Sequence, residues 1–513
     1  RNKMAEISSN NKRIAKNTLM LYIRMLISMV VGLFTSRVVL QTLGVENYGI
    51  YAVVGGIVSM FTFLNGGMIS ATQRYLNFEL GRGNQEQLSK VFRTSIQIHA
   101  LISLIVLLLS ETVGLWFLYE KLVIPEERLD AAFWVFQFSI VACVVSIISV
   151  PYNAVIVAHE KMSAFAYMSI LDVVLKLLIV YLLYVLPWDK LVVYAALGLC
   201  VNLLMRFIYA RYCHKHFSES HYRHGFDKLL FKEMFFFSGW SLWGNLAAML
   251  YSQGLNMMLN IFFGPVVNAA RGIALQVQGV IQGFVGNFQM ALNPQITKSY
   301  ASEDLPQMHN LMFRSARFSF FLLFFLALPI LLEADYVLQL WLGKFPNETV
   351  VFMRWIIGIS LIYTIANSCV IANQATGKVK VYQAVVGGIL LLIVPISYIA
   401  LKLGAPAYSV FIVHFCVESI AQFARMYMLR KLINLPLRAY LKNIYLPVIS
   451  VVLISIILPL YIQSLFPEGF LRLIYVGLVS VISVGVTVFI IGLTKGERSF
   501  FVDKAFSILK IRK

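Results

Sequence analysis

Long apolar runs recur along nearly the whole chain and are separated by short polar or charged segments. Each run extends over roughly 20 residues, the length at which an α-helix crosses the hydrocarbon core of a bilayer. The pattern therefore predicts an all-α polytopic membrane protein with about fourteen spans. We place these spans at residues 17–40, 47–70, 91–110, 132–157, 163–186, 190–211, 234–263, 266–294, 315–334, 349–373, 381–402, 406–428, 444–465 and 471–493.

The composition and the placement of charge agree with this pattern. Hydrophobic residues make up 59% of the chain and charged residues 13%, far from the balance of a soluble domain. The net charge of +19 resides mainly in the N-terminal segment, the C-terminal tail and every second connection. Because cytoplasmic segments of membrane proteins are enriched in Lys and Arg, we expect both termini in the cytoplasm and no nucleic-acid partner. Few cations fall in the opposite connections: Lys121, Arg128, Lys190, Lys344, Lys402 and Arg472.

Two halves of the chain match each other at an offset of about 214 to 222 residues. The matching segments are Leu43-Gly44 with Phe263-Gly264, Phe92–Ser95 with Phe313–Ala316, and Asn153–Ala158 with Asn367–Ala372. Their common order predicts duplication of a six-helix unit, with two lobes related by a pseudo-twofold axis along the membrane normal. We divide the chain into a first lobe at 1–213, a basic cytoplasmic linker at 214–233, a second lobe at 234–430, and an extra helix pair with a cytoplasmic tail at 431–513.

Five basic side chains fall inside predicted spans: Arg24, Arg37, Lys176, Arg271 and Arg354. Each would cost about 2.5–3.5 kcal/mol at the centre of a membrane helix, so a protein that keeps them is expected to use some of them. An electropositive interior between two lobes suits alternating access to an anionic substrate. Arg37 and Arg354 lie close to the outer interface, where a long side chain can reach water, and we interpret them as snorkelling.

Three short motifs give the chain a family resemblance: Leu43–Tyr51, Gly66-Gly67 and Gln73–Tyr75. With them it resembles the Wzx-type polysaccharide flippases of the multidrug/oligosaccharidyl-lipid/polysaccharide (MOP) exporter superfamily, whose fold is MATE-like. The resemblance extends over both predicted lobes and the extra helix pair. It implies that a polyprenyl-diphosphate-linked oligosaccharide, as a repeat unit of O-antigen, capsule or exopolysaccharide, moves from the cytoplasmic to the periplasmic leaflet of a bacterial inner membrane. Membrane lipids and other polysaccharide assembly proteins are the further partners that it implies.

Three arginines are candidates for binding the diphosphate: Arg24, Arg271 and Arg74. A guanidinium group is a planar fork that can bind phosphate oxygens in pairs. Arg24 lies about 10 Å inside its predicted span, too deep for easy escape to water. In peptidoglycan-precursor flippases, which the chain also resembles, arginines of the first and eighth spans serve the substrate, and Arg24 and Arg271 match those positions. A further basic residue deep in the second span of those relatives is absent here, where Arg74 lies nearer the cytoplasmic end.

The predicted eighth span carries too many amide side chains for a helix that faces lipid on all sides. We therefore predict that it lines a cavity. The polar side chains that we assign to this lining are Asn268, Gln276, Gln282 and Asn287.

Two pairs of ionisable residues lie at mid-depth in predicted spans: Asp172 with Lys176, and His414 with Glu418. The members of each pair are four residues apart, so they share one helical face. Asp172 and Lys176 can neutralise each other, and a gating or ion-coupling role remains the alternative. His414 titrates near neutral pH, which makes the second pair a candidate for proton coupling. We expect no cofactor and leave coupling to H⁺ or Na⁺ open.

A group of potential metal ligands occurs at the linker, without an ordered ligand spacing and among basic residues. We expect a solvated basic loop at the anionic leaflet rather than a metal site. The group consists of Cys213, His214, His216, His221 and His224.

Enzymatic activity is not expected, because the sequence has no GxxxxGK[ST] motif, no DxD pair and no long connection outside the membrane. The main alternative to a flippase is a cation-coupled multidrug exporter of the MATE type. Such exporters usually carry an acidic residue in an early helix, where this chain has Arg24. A membrane-embedded polysaccharide-processing enzyme is a weaker alternative. A channel is also possible, but it would not need the two predicted lobes.

Overall fold

The structure is a computed structural model that describes residues 16–32, single positions between 35 and 54, and residues 62–120, 124–221, 225–499 and 502. Regular structure in these residues is helical, as predicted. A short helix, Ala334–Leu342, lies in the connection between residues 332 and 349. The long helices are α1 (16–32), α2 (Thr62–Arg82), α3 (Gln85–Glu120), α4 (Leu129–Ala158), α5 (Met162–Val185), α6 (Lys190–His216), α7 (Lys228–Phe263), α8 (Pro265–Ala301), α9 (Leu305–Leu332), α10 (Thr349–Thr376), α11 (Val379–Lys402), α12 (Ser409–Leu432), α13 (Leu437–Leu465) and α14 (Phe470–Gly492).

Eleven of the described helices are long and apolar enough to cross a membrane. They are α3 to α7 and α9 to α14, and each covers one of the predicted spans. At the place of the predicted eighth span, α8 is a continuous helix of 37 residues, although it is less apolar than the others. The first two predicted spans lie partly outside the described residues, so the number of fourteen remains a prediction.

Contacts within the chain group it into two compact units. Unit 1 consists of Arg1–Leu246, Met290–Asp304 and Gly377–Gln383. Unit 2 consists of Ala247–Gln289, Leu305–Thr376 and Ala384–Lys513. The end of α8 and the start of α11 belong to unit 1 because they pack against helices from the first half of the chain. The units therefore follow packing rather than sequence order, and the lobes at 1–213 and 234–430 stay a prediction.

Each unit has a core in which aromatic rings interlock between neighbouring helices. In unit 1, the rings of Phe92 on α3 and Tyr152 on α4 meet edge to face, with centroids 5.3 Å apart. In unit 2, Phe352 on α10 and Phe411 on α12 are 4.7 Å apart and both are buried. Lipid tails are as apolar as these side chains, so close packing rather than removal from water holds the helices together.

Candidate functional site

Unit 2 contains a cavity of about 240 Å³ that four helices enclose: α7, α8, α10 and α12. Its wall combines apolar side chains with hydroxyl, amide and ionisable groups. The lining residues are Tyr251, Ser252, Leu255, Arg271, Leu275, Gln278, Ile356, Ile359, Ser360, Tyr363, Phe411, His414 and Glu418.

Arg271 is held in the wall of this cavity by hydrogen bonds to α7. Its Nη2 donates to the backbone oxygen of Ser252 at 3.1 Å and to Oγ of the same residue at 3.0 Å, and its Nη1 donates to Oδ1 of Asn256 at 3.3 Å. The side chain is buried, and its Nε has no hydrogen-bond partner among the described residues. None of these contacts neutralises the guanidinium charge, so Arg271 keeps the capacity to bind an anion.

Glu418 on the opposite wall forms a buried ion pair with Arg425. The Nη1 of Arg425 lies 2.7 Å from Oε1 of Glu418, and both side chains are 2% exposed. Glu418 therefore pairs with Arg425 rather than with His414, and the proton coupling expected of His414 and Glu418 stays a prediction. A guanidinium group keeps its charge when buried, whereas an imidazole is neutral over much of the same pH range, so Arg425 is the stronger partner for a buried carboxylate.

His414 lies one turn from Glu418 on α12 and lines the same cavity. Its ring meets that of Tyr251 edge to face, with centroids 5.2 Å apart. No other described residue forms a hydrogen bond with its ring nitrogens. The charged groups that act on it are Glu418 and Arg271. Apart from the phenol groups of Tyr251 and Tyr363, His414 is thus the ionisable group of the cavity lining that is neither permanently charged nor held in an ion pair.

The cavity carries a net positive charge. Glu418 and Arg425 cancel, and neutral His414 adds nothing, so the remaining charge is that of Arg271. Protonation of His414 would raise the net charge of the cavity by one unit. A cavity of this kind favours an anionic or hydroxylated ligand over an organic cation.

Arg24 belongs to unit 1, where it projects from α1 toward α5. Its guanidinium carbon lies 5.2 Å from the ring centroid of Phe165, and the side chain is half-buried. Tyr209 on α6 is close enough to act electrostatically on the guanidinium group. These contacts describe a cation against an aromatic ring; the predicted binding of diphosphate by Arg24 stays a prediction.

Arg74 is enclosed by aromatic rings in unit 1. Its guanidinium carbon lies 4.4 Å from the ring centroid of Tyr75, 4.8 Å from that of Phe78 and 5.5 Å from that of Phe237. A Cβ atom on Gly377 would come within 2.6 Å of its Nη2, so the guanidinium group packs directly on that backbone. These contacts describe a packing residue; the predicted binding of diphosphate by Arg74 stays a prediction.

The four amides predicted to line a cavity lie outside the wall of the unit 2 cavity. Asn268 donates to Asn256 at 2.8 Å, and Asn287 donates to the backbone oxygen of Gly283 at 3.0 Å. Gln276 is exposed, whereas Oε1 of Gln282 is buried without a hydrogen-bond partner among the described residues. On α8, Gln278 is the amide that reaches this cavity.

Asp172 and Lys176 form the ion pair that their spacing predicts. The Nζ of Lys176 lies 2.8 Å from Oδ2 of Asp172. Lys176 also lines a second cavity, of about 230 Å³, which α4, α5, α6 and Tyr51 enclose within unit 1. Lys176 is 49% exposed and Asp172 is 27% exposed, so this pair is far less buried than Glu418 and Arg425.

Of the two arginines interpreted as snorkelling, the structure describes Arg354. Arg37 lies outside the described residues. Arg354 is 49% exposed; its Nη2 is 3.6 Å from Asp335, and its Nε donates to the backbone oxygen of Leu331 at 3.3 Å. These contacts place the charge of Arg354 at the end of α9 and beside a carboxylate.

The predicted solvated loop after α6 is docked in part against the rest of unit 1, which corrects that expectation. Cys213 is buried and its thiol donates to the backbone oxygen of Tyr152 at 3.5 Å. Glu219 is 2% exposed and bonds to Nε2 of His159 at 2.5 Å. Burial alone would raise the pKa of Glu219, but the hydrogen bonds from His159, Gln85 and the backbone, together with the charge of His159, lower it. The described residues contain no group of three or more potential metal ligands.

Two left-handed turns in unit 1 receive side chains from distant helices. The first, which we call the Glu160 turn (residues 159–161), follows α4, and Glu160 has a φ of 57°. The carboxylate of Glu160 accepts from Nζ of Lys298 at 2.9 Å and from Nε2 of Gln295 at 3.1 Å, both near the end of α8. Its backbone oxygen accepts from Asn17 on α1 at 3.2 Å. Glu160, which follows α4, is thereby joined to α8 through its carboxylate and to α1 through its backbone oxygen.

The second turn, which we call the Gly377 turn (residues 376–378), follows α10 and corresponds to the Glu160 turn under the predicted repeat. Gly377 has a φ of 76°, and Arg74 of α2 packs on its backbone. Gly81 brings the end of α2 against α8, since a Cβ atom there would lie 2.6 Å from the backbone oxygen of Lys298. The ends of α2 and α8 therefore contact each other, and each also contacts one of the two turns.

Arg425 and the Glu160 turn are the functional candidates that the sequence did not reveal. Arg425 is absent from the five embedded cations because it lies within one turn of residue 428, the predicted end of its span. Its spacing from Glu418 could have identified it, since seven residues are two turns and place both side chains on one face. Glu160 and Lys298 are 138 residues apart, and no local pattern connects them.

Comparisons with known proteins place this fold among transporters. Residues 14–300 match the family model of polysaccharide biosynthesis proteins. A multidrug resistance MATE transporter of the MOP superfamily, in an outward-facing conformation, superimposes with a TM-score of 0.71 at 14% identity, over 83% of this chain and 96% of that one. A MATE transporter in the straight conformation gives 0.70 at 14% identity, with the same coverage.

A third similar structure is a MOP-superfamily transporter from Pyrococcus furiosus, whose reversed pocket polarity suggests a different function for that protein. It superimposes with a TM-score of 0.66 at 14% identity, over 83% of this chain and 96% of that one. At such identities the likeness shows the fold alone. No curated protein matches the chain.

Proposed function

This chain belongs to the polysaccharide biosynthesis protein family of MOP-superfamily transporters, and we propose that it moves a polyprenyl-diphosphate-linked oligosaccharide across a membrane. The family match covers more than half of the chain, and the fold is that of multi-pass transporters rather than of enzymes. The substrate is the proposed part. It combines an acidic diphosphate with hydroxyl-rich sugars, and both need polar contacts inside an apolar protein.

The unit 2 cavity carries this proposal, because its net charge is positive and comes from Arg271. A diphosphate requires cations that remain charged out of water, and Arg271 is buried without a carboxylate partner among the described residues. An organic cation, the substrate of a multidrug exporter, would be repelled by this charge. The hydroxyl and amide groups of Ser252, Ser360 and Gln278 add hydrogen-bonding capacity for sugar.

The transport cycle that we propose is alternating access, with the two left-handed turns closing the cytoplasmic end. In the predicted topology, the Glu160 turn, the Gly377 turn and the ends of α2 and α8 all face the cytoplasm. Opening at this end would separate Lys298 from Glu160 and Arg74 from Gly377. Glu160 would then lose two hydrogen bonds, and this loss would oppose opening until substrate contacts offset it.

We further propose that both termini lie in the cytoplasm and that the protein resides in a bacterial inner membrane. The alternation of Lys and Arg between connections supports this orientation. A cysteine introduced at Lys344 should react with an impermeant thiol reagent added from outside, and one at Lys228 should react only after the membrane is opened. The reverse labelling pattern would overturn the topology.

The test of the substrate uses purified protein in vesicles that contain a fluorescent polyprenyl-diphosphate oligosaccharide. We expect the wild-type protein to move it between leaflets without ATP and without covalent change. Arg24→Glu should abolish this movement, because it places a like charge against the diphosphate, while the protein still inserts into the membrane. Arg354→Gln, which removes an exposed cation near the end of α9, is the matched control and should transport normally.

Three results would replace the proposal. Full transport by Arg24→Glu would remove the proposed contact with the diphosphate. Loss of the protein that sensitised cells to organic cations and left the glycan intact would favour a drug exporter. A glycan that was still delivered but shortened or unmodified would favour a membrane enzyme.

A further inference from the structure

A groove of about 410 Å³ lies at the end of α6, on the side of unit 1 that the predicted topology assigns to the cytoplasm. It is distinct from the unit 1 and unit 2 cavities and shares no lining residue with them. We call it the α6 groove. It is lined by Phe207, Ala210, Arg211, His214 and Lys215.

Its cations have no partner within the described part of the chain. Arg211 and Lys215 are four residues apart on one face of α6 and both are exposed. Neither forms an ion pair or a side-chain hydrogen bond with another described residue, and no acidic residue lines the groove. The nearby carboxylate of Glu219 is buried and bonded to His159. The groove therefore presents two positive charges that protein groups do not neutralise.

An apolar stripe leads from the groove along α6 toward the centre of the membrane. Phe207 is 63% exposed, Leu203 is 47% exposed and Leu204 is 45% exposed. Residues 203, 204, 207 and 211 share one face, since they recur at helical spacing. A ligand at this position can place hydrocarbon on the stripe and an anion at the two cations.

The end of α6 that carries the groove is fixed to the rest of unit 1. Cys213 bonds to the backbone of Tyr152, and the turn that follows is held by His159 at Glu219 and by Nε2 of Gln85, which donates to Ser218 at 2.7 Å. Cys213 is two residues from both Arg211 and Lys215, so its contact lies on the opposite side of α6 from the two cations. The two cations therefore project from a backbone that needs little reorganisation to bind.

We propose that the α6 groove binds the phosphate of an anionic phospholipid of the cytoplasmic leaflet, with its acyl chains along the stripe. Arg211 and Lys215 hold the phosphate, and His214 lies beside it. A sugar-bearing substrate suits the groove less well, because its lining offers no amide or hydroxyl group. The proposal depends on the orientation of the protein and not on the identity of its transported substrate.

The test measures lipid binding to the purified full-length protein by native mass spectrometry, with phosphatidylglycerol and phosphatidylcholine as probes. Each cation near an anionic lipid contributes about 1 kcal/mol, so Arg211→Gln with Lys215→Gln should weaken binding of phosphatidylglycerol by about 25-fold. Binding of phosphatidylcholine should not change. The matched control is Lys228→Gln with Lys232→Gln, two exposed cations at the same spacing at the start of α7.

Each outcome decides the proposal. A loss of phosphatidylglycerol binding in the α6 variant, with wild-type binding in the α7 control and unchanged melting temperatures, supports the groove. Equal losses in both variants would show a general attraction to basic residues and overturn it. Unchanged phosphatidylglycerol binding together with weaker binding of a polyprenyl diphosphate would assign the groove to the substrate and overturn it as well.

Discussion

The cavities of unit 1 and unit 2 are nearly equal in size, at about 230 and 240 Å³, but they differ in how charge is arranged. Both are enclosed mainly by helices that correspond under the predicted repeat, since α4 and α6 in unit 1 match α10 and α12 in unit 2. In unit 1 the charged group is Lys176, which Asp172 neutralises from the adjacent turn. In unit 2, no carboxylate among the described residues pairs with Arg271, and the carboxylate of Glu418 is paired with Arg425.

This difference shows that the fold forms a cavity in each unit, and that the side chains of the lining determine which cavity can bind an anion. An exposed pair four residues apart contributes little and can be replaced at small cost. Burying a cation without a counter-ion costs much folding free energy, so such a cation is expected only where function requires it. We therefore expect substitutions in the lining of the unit 2 cavity to have larger effects than equivalent ones in the lining of the unit 1 cavity.

The largest effect should come from breaking the buried pair of unit 2. Arg425→Met leaves the carboxylate of Glu418 buried without its partner and should destabilise the protein by about 3–5 kcal/mol. Thermal unfolding in detergent measures this change. Lys176→Met, which breaks the exposed pair of unit 1, is the control and should cost less than about 1 kcal/mol. Equal stability losses in the two variants would remove the distinction between the pairs.

A smaller effect is expected from changing the shape of the unit 2 cation while its charge is kept. Arg271→Lys should lower the transport rate about tenfold, because an ammonium group cannot bind two phosphate oxygens as a planar fork. Vesicle transport of the lipid-linked oligosaccharide measures this rate. Lys176→Arg in the unit 1 cavity should transport like wild type. An equal loss there would show that the unit 2 cavity is not the one of the two cavities that binds the anion.

The pH dependence of transport should show whether His414, rather than a neighbouring group, is the residue whose protonation changes the transport rate. Protonation of His414 at acidic pH would add a positive charge beside Arg271, so the transport rate should change several-fold once the pH is low enough to charge the imidazole. His414→Gln should flatten this profile without preventing substrate binding. The groups that face His414 are Tyr251, Arg271 and Glu418, and of these the carboxylate is already paired. A profile that persisted in His414→Gln would assign the titration to another group.

The smallest effect is expected from removing both charges of unit 1. Asp172→Asn with Lys176→Met should leave transport within about twofold of wild type, because a partly exposed pair contributes at most about 1 kcal/mol. The same vesicle assay provides the comparison. A severe loss of transport would instead give this pair the gating or ion-coupling role that remained the alternative.

The sequence predicts the helical class, eleven of the spans and the local ion pair, because these depend on residues that are neighbours along one helix. Asp172 and Lys176 are such a case. The sequence does not reveal that Glu418 pairs with Arg425 rather than with His414. Which of the two pairs with the carboxylate depends on the side-chain orientations in the folded protein. It also does not reveal that Lys298 reaches Glu160 or that Arg74 packs on Gly377. Those contacts join helices that only the folded protein brings together.

The ion pair at the Glu160 turn also constrains how the protein is made. Glu160 and Lys298 are separated by 138 residues, so during synthesis the carboxylate emerges long before its partner. At about 5–20 residues per second, the delay is on the order of ten seconds. Throughout this interval the nascent chain carries an acidic turn that α8 has not yet reached. A ribosome that stalled after α7 would leave this incomplete form in the membrane, where quality-control proteases could distinguish it from the finished protein.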